Sequence, residues 1–291
     1  MTNTAARKGH PRALYVLFFT EMWERFGYYL MAGIFVLYLI DPRGHGGKGF
    51  TIATATDIWG SYIALVYLTP FIGGLIADRI LGYRKSIIFG GALMACGYFG
   101  LALPGNTAMF ISLACVIIGN GFFKPNISTL LGNIYNAEDL KPKKDVAYNI
   151  FYMGINIGAF VCNFVAAYLR NYYGWGYAFA AAGVGMIIGL AIFIPMMRHV
   201  KHADVVKPAH KEDMPLFKIF GYVFLPAIIT GAIGWNMYRF IGHPIFNTSS
   251  NDAFFFALVP IIIFYMRLYF TANADDKIGL GALLAFFAVS T

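Results

Sequence analysis

The chain has 291 residues, 59% of them hydrophobic and only 12% charged, about half the charged share of a soluble domain. A soluble core cannot absorb that much apolar surface, so the composition points to a membrane protein. The net charge of +8 does not mark a nucleic-acid binder, because the Lys and Arg residues sit in short loops between apolar runs and not on one basic face.

The basic start, Arg7, Lys8 and Arg12, leads into an apolar stretch from Ala13 to Ile40. That stretch is far longer than the h-region of a signal peptide and carries charges, so it reads as a first retained span. Glu21, Glu24 and Arg25 lie near its middle. Each ionised group at the bilayer centre costs roughly 2.5 to 3.5 kcal/mol, so the three need a polar interior to face. Helical spacing puts Glu21 and Arg25 one turn apart and Glu24 toward Tyr28. One reading is a buried ion pair that only fastens two helices. The other is a proton or substrate site lining a cavity, since intramembrane carboxylates and cations mark transport pathways.

Further spans are predicted over 57–77, 86–103, 108–134, 146–170 and 176–197, making six helices with the first. The second contains Tyr67. The loop after it reads Gly73-Gly74-Leu75-Ile76-Ala77-Asp78-Arg79-Ile80-Leu81-Gly82-Tyr83-Arg84-Lys85, a solvated charged turn on its face. The fourth holds Lys124 in a helix expected to be broken by Gly119, Gly121 and Pro125. A kink beside a buried ammonium suits a cavity wall better than a lipid face. On the fifth, Asn149, Tyr152, Asn156 and Asn163 form a polar face, with Gly154 and Gly158 on adjacent positions. Those amides suit either interhelical hydrogen bonds or recognition of a peptide-like substrate.

A polar segment from Arg198 to Lys218 reads as a linker, and two more spans follow over 219–240 and 253–270. A last apolar run begins near Ile278 and is expected to be the start of a further helix cut off at Thr291. The predicted domains are thus a bundle over 1–198, a linker over 199–218, a helix pair over 219–277 and a partial helix over 278–291. With a cytoplasmic N-terminus, Arg7, Lys8, Arg12, Arg79, Arg84, Lys85, Lys141, Lys143, Lys144, Arg198, Lys201, Lys207, Lys211, Lys218 and Lys277 fall inside. Arg43, Lys48, Arg170 and Arg239 fall outside, as the positive-inside rule requires. Only Arg25 and Lys124 are then cations at membrane depth. Cys96, Cys115 and Cys162 lie inside apolar runs and read as packing residues, with neither a disulfide framework nor a metal site indicated. The chain carries no nucleophile–base set, metal spacing or phosphate loop, so an enzyme is not expected and no cofactor is called for.

The Gly-Asp-Arg-Gly-Arg-Lys order of the loop after the second helix resembles the loop signature of the major facilitator superfamily. Glu21-Met22-Trp23-Glu24-Arg25-Phe26-Gly27-Tyr28-Tyr29 resembles the ExxERFxYY signature of the proton-dependent oligopeptide transporter family. Phe151-Tyr152-Met153-Gly154-Ile155-Asn156-Ile157-Gly158 resembles its FYxxINxG signature, and Lys124-Pro125-Asn126 a third.

The resemblance implies an all-α polytopic fold: the superfamily's N-terminal six-helix bundle, the inter-bundle helix pair of bacterial members and the start of the seventh core helix. It implies proton-coupled symport of di- and tripeptides across the inner membrane by alternating access, with a C-terminal six-helix bundle expected but missing from this chain. Glu24, beside Glu21 and Arg25, would couple to protons; Arg25 and Lys124 would handle the substrate carboxylate; Tyr28, Tyr29, Tyr67 and Asn156 would line the peptide pocket. Asp78, Arg79, Gly82 and Arg84 would form the conformational loop, its acidic residue engaging a helix end. Ala32 and Leu30 depart from the usual signature, and Gly60 stands where animal members have a His, which leaves coupling to carboxylates. A carrier of nitrate or another small anion, and a non-transporting membrane scaffold or receptor, are the alternative readings.

Overall fold

A computed structural model of the chain describes residues 9–206, 214–271, 277 and 281. Among these residues every regular element is helical. The chain divides into two compact units, Met1–Ala209 and His210–Thr291.

The first unit is built from six long helices: α1 (Arg12–Ile40), α2 (Ile52–Ile76), α3 (Tyr83–Leu101), α4 (Asn106–Ile134), α5 (Lys144–Tyr173) and α6 (Trp175–Met196). Their ends follow from local chemistry. Asp41, extended as a residue before proline is, stops α1. The Thr51 hydroxyl accepts the Thr54 N–H at 3.2 Å and caps α2. A π turn, Ala77–Leu81, carries α2 to Gly82, whose φ of +79° makes the corner into α3.

Helix α1 is the hub. It packs mainly on α5 and α6, with lighter contacts to α2, α3 and α4. Residues on nearly all of its faces are buried, including Leu14, Leu17, Met31, Phe35 and Tyr38. Around it, α3 lies against α4 and α6, and α2 against α4.

Six helices among the described residues are long and apolar enough to cross a membrane: Ile52–Leu81, Asn106–Ile134, Lys141–Tyr173, Trp175–Ala203, Phe217–Trp235 and Ser249–Thr271. Helices α1 and α3 are not in that set. The first carries Glu21, Glu24 and Arg25, and the second opens on Arg84 and Lys85. The protein is a multi-pass membrane protein.

In the second unit a short α7 (Leu216–Ile219) passes through a π turn, Phe220–Phe224, into α8 (Leu225–Trp235). Then follow α9 (Met237–Ile241) and α10 (Ser249–Thr271), with α8 packed on α10. Buried Asp252 orders the connection by accepting the N–H groups of Ile245 at 2.9 Å and Phe246 at 2.6 Å. The predicted run from Ile278 to Thr291 lies, apart from Gly281, outside the described residues.

Two expectations are corrected. Helix α4 is not broken: it runs from Asn106 to Ile134 with Pro125 inside it. Side chains brace the stretch, Asn126 Nδ2 donating to Phe122 O at 2.7 Å and Thr129 Oγ1 to Pro125 O at 2.8 Å. Gly73 of α2 packs directly against the Gly121 carbonyl, whose usual donor the proline lacks. Of the cysteines, Cys162 is packed inside the unit, but Cys96 is exposed on α3.

Candidate functional site

The charged side chains of the α1 turn are deeply buried, with Glu21 3%, Glu24 0% and Arg25 4% exposed. The two glutamates converge on one guanidinium. Glu24 takes it two ways, Nε donating to Oε2 and Nη2 to Oε1, the latter at 2.8 Å. Glu21 Oε1 lies 3.1 Å from the same Nε, and the Arg25 Cζ sits 5.0 Å over the Tyr28 ring. A buried charge is tolerated only when paired and hydrogen-bonded; one guanidinium serves both carboxylates here, holding Glu24 by two hydrogen bonds and Glu21 through Oε1 alone, and Glu21 Oε2 has no hydrogen-bond partner among the described residues.

The second cation comes from α4. Lys124 is half-buried, its Nζ 5.1 Å over the ring of Tyr67 on α2, and it interacts electrostatically with Arg25, Glu24 and Glu21. Two carboxylates and two cations therefore balance inside one unit.

Glycines bring the neighbouring helices onto this turn. A Cβ on Gly158 of α5 would strike the Met22 carbonyl and stand 3.0 Å from Phe26 N, and one on Gly154 would be 2.9 Å from the Phe18 ring. From α6, Gly185 meets Phe26 and Trp23, and Gly189 meets Thr20 and Trp23. Small residues at these places let backbones approach closely, as membrane helices require.

Among the described residues the amides of α5 make no hydrogen bond that fastens it to a neighbouring helix. Asn149 and Asn156 are exposed, as is Tyr152, and Asn163 donates to Ala159 O of its own helix at 3.2 Å. The buried face of α5 is instead Ala147, Phe151, Gly154, Gly158, Cys162 and Ala166. Tyr67 is 65% and Tyr29 38% exposed, whereas Tyr28 is buried under Arg25.

At the loop after α2, Asp78 Oδ1 accepts the Tyr83 hydroxyl at 2.7 Å. The first turn of α3 is held by Asp204, whose Oδ1 accepts the N–H groups of Tyr83 at 2.7 Å and Arg84 at 3.2 Å, while its Oδ2 accepts Arg84 Nε at 2.5 Å.

The profile of the POT family matches residues 84–220. A di-/tripeptide transporter of Lactococcus lactis subsp. lactis (strain IL1403) is 32% identical over 286 residues, covering 96% of this chain and 57% of the relative. The chain belongs to the POT family. An uncharacterized transporter, YclF, of Bacillus subtilis (strain 168) is 43% identical over 186 residues, 64% of this chain and 37% of its own length. A crystal structure of the peptide transporter POT in complex with sulfate superposes with a TM-score of 0.74 at 31% identity, covering 96% of this chain and 57% of that one. The chain spans little more than half the length of the di-/tripeptide transporter it matches.

Within this POT-family chain the structure gathers Glu21, Glu24, Arg25, Tyr28, Tyr67 and Lys124 in one place and leaves Asn156 on the exposed face of α5. Sequence reasoning did not single out Asp204, which reads there as linker polarity. It also passed over Tyr62, Tyr98 and Asn120, buried polar residues inside apolar runs. No cluster of His, Cys, Asp or Glu able to hold a metal occurs among the described residues.

Proposed function

We propose that this chain forms the proton-coupling and carboxylate-binding half of a di- and tripeptide transporter of the cytoplasmic membrane, with its N-terminus inside the cell. The observation that carries the reading is the Arg25 guanidinium shared by Glu21 and Glu24 beside Lys124. Relatives named as di-/tripeptide transporters support the cargo.

The coupling follows from charge balance. A proton reaching Glu24 removes one of the two anions that hold Arg25, and a peptide carboxylate then replaces it between Arg25 and Lys124. Proton and peptide so enter together, and the membrane potential contributes about 2.3 kcal/mol per charge per 100 mV. Tyr29, Tyr67, Asn149, Tyr152 and Asn156, exposed in this chain, line the cavity against a second bundle, and rocking of one bundle on the other alternates access.

The test is Glu24→Gln in the complete transporter reconstituted in liposomes. The neutral amide imitates the protonated carboxyl, so uphill proton-driven dipeptide uptake is lost while peptide exchange persists. Normal accumulation by that variant would refute the assignment.

A further inference from the structure

Two tyrosines near the charged turn are buried without a hydrogen-bond partner among the described residues. Tyr62 of α2 is 2% and Tyr98 of α3 0% exposed, and neither hydroxyl has a hydrogen-bond partner among the described residues. Native structures rarely bury a hydroxyl unsatisfied, and one that persists calls for a reason. The two residues are close to the site and to each other. Tyr98 interacts electrostatically with Tyr62, Glu24, Arg25 and Tyr28, and Tyr62 with Tyr28, Glu24 and Arg25. The Tyr98 ring packs on Gly27, where a Cβ would stand 3.2 Å from Cε2. The Tyr62 ring stacks on Trp59 at 5.4 Å between centroids.

We propose that Tyr62 and Tyr98 are the hydrogen-bond partners of the Glu24 carboxyl in its neutral state. In the arrangement described, Arg25 occupies both Glu24 oxygens, one through Nε and the other through Nη2, so the hydroxyls have nothing to bond. When a proton arrives, an O–H bond forms on Glu24 and the two-pronged hold of Arg25 is lost. The neutral carboxyl then has one donor and one carbonyl acceptor to satisfy in a site closed to solvent. A tyrosine hydroxyl both donates and accepts, so the pair meets both needs. The proton comes from water on the loading side and returns to water on the other, and the tyrosines keep their own protons throughout. Groups unsatisfied in one state of the switch are satisfied in the other, which narrows the energy gap between them.

The remaining groups around Glu24 do not fill this role. On α1, Arg25 is a cation, Tyr28 lies against the guanidinium, and Glu21 is a second carboxylate whose Oε2, unbonded among the described residues, can accept from a neutral Glu24 but, ionised, has no proton to donate to its carbonyl. Lys124 of α4 is a cation over the ring of Tyr67 on α2. Helices α5 and α6 meet this turn with Gly158, Gly185 and Gly189.

This inference rests on Glu24 being the proton carrier, and an infrared titration of the lipid-reconstituted 291-residue chain separates the two. The carboxylic C=O band lost in Glu24→Gln reports Glu24 alone. Tyr62→Phe and Tyr98→Phe remove only a hydroxyl. A partner that serves only the neutral form raises the midpoint, so each variant lowers it by about 0.5 to 1 pH unit, the size of one neutral hydrogen bond, and moves the band to higher wavenumber. The variants lie on different helices, so if one fails to fold the other decides. An unchanged or raised midpoint overturns the inference while leaving Glu24 as the carrier. If no band responds to Glu24→Gln at any pH, the proton-carrier reading fails and this inference with it.

Discussion

The Asp204 carboxylate accepts the Tyr83 backbone N–H at 2.7 Å, joining the segment after α6 to the first turn of α3 across 121 positions of sequence. The first N–H groups of a helix have no partner within it, and an acidic side chain there satisfies them and complements the helix dipole. Here the cap comes from a distant part of the chain and is reinforced by Arg84.

Asp204→Ala is therefore expected to destabilise the first unit by about 1 to 2 kcal/mol, the usual worth of a lost cap, with Asp204→Asn costing less because an acceptor remains. Thermal unfolding in detergent checks this. Identical midpoints for wild type and Asp204→Ala would mean that water replaces the carboxylate at no cost.

Gly158→Ala is expected to cost about 1 to 3 kcal/mol, the range for overpacking a filled contact, because the added carbon meets the Met22 carbonyl. Gly158→Leu should prevent a monodisperse preparation altogether. Asn156→Ala, two residues away on the exposed face, should leave both yield and melting unchanged, and size-exclusion chromatography compares the three directly.

Lys124→Ala should weaken a dipeptide by about 1.5 to 3 kcal/mol, the range for a hydrogen bond to a charged group. The same peptide with an amidated C-terminus should lose far less. Binding measured on the complete transporter decides, and equal losses for the two ligands would make Lys124 a structural residue.

The 291-residue chain alone is expected to insert into the membrane and to carry no peptide, since the cavity of such transporters lies between two bundles. Purified chain in liposomes with an inward proton gradient is the assay. Saturable dipeptide accumulation would mean that a second copy completes the site.

The helices were legible because a bilayer demands long apolar runs, and the charges in α1 and α4 stood out against them; the same charges keep α1 out of the set of helices apolar enough to cross a membrane. The limits of α2 were less so. Its start at Ile52 is set by the Thr51 cap, inside a Thr- and Ala-rich stretch that gives no periodic signal. Tyr62 and Tyr98 escaped notice for a related reason: a helix apolar all round has no polar face to distinguish inside from outside. Helix α5 is amphipathic, so its amides were visible in the sequence, yet their placement on a face clear of the other five helices was not. Asp204 was illegible because its partners lie 120 and 121 residues away.

The close contact of Gly154 and Gly158 with α1 divides the duties of α5 between its two sides. On one, any added methyl group disturbs the helix that holds Glu24 and Arg25. On the other, Asn149, Tyr152 and Asn156 stand clear of neighbouring helices and can be exchanged for larger, smaller or more polar side chains with no packing to repair. On the function proposed above, cargo preference would drift one substitution at a time along a single strip of helix while the charged turn beneath it stays as it was.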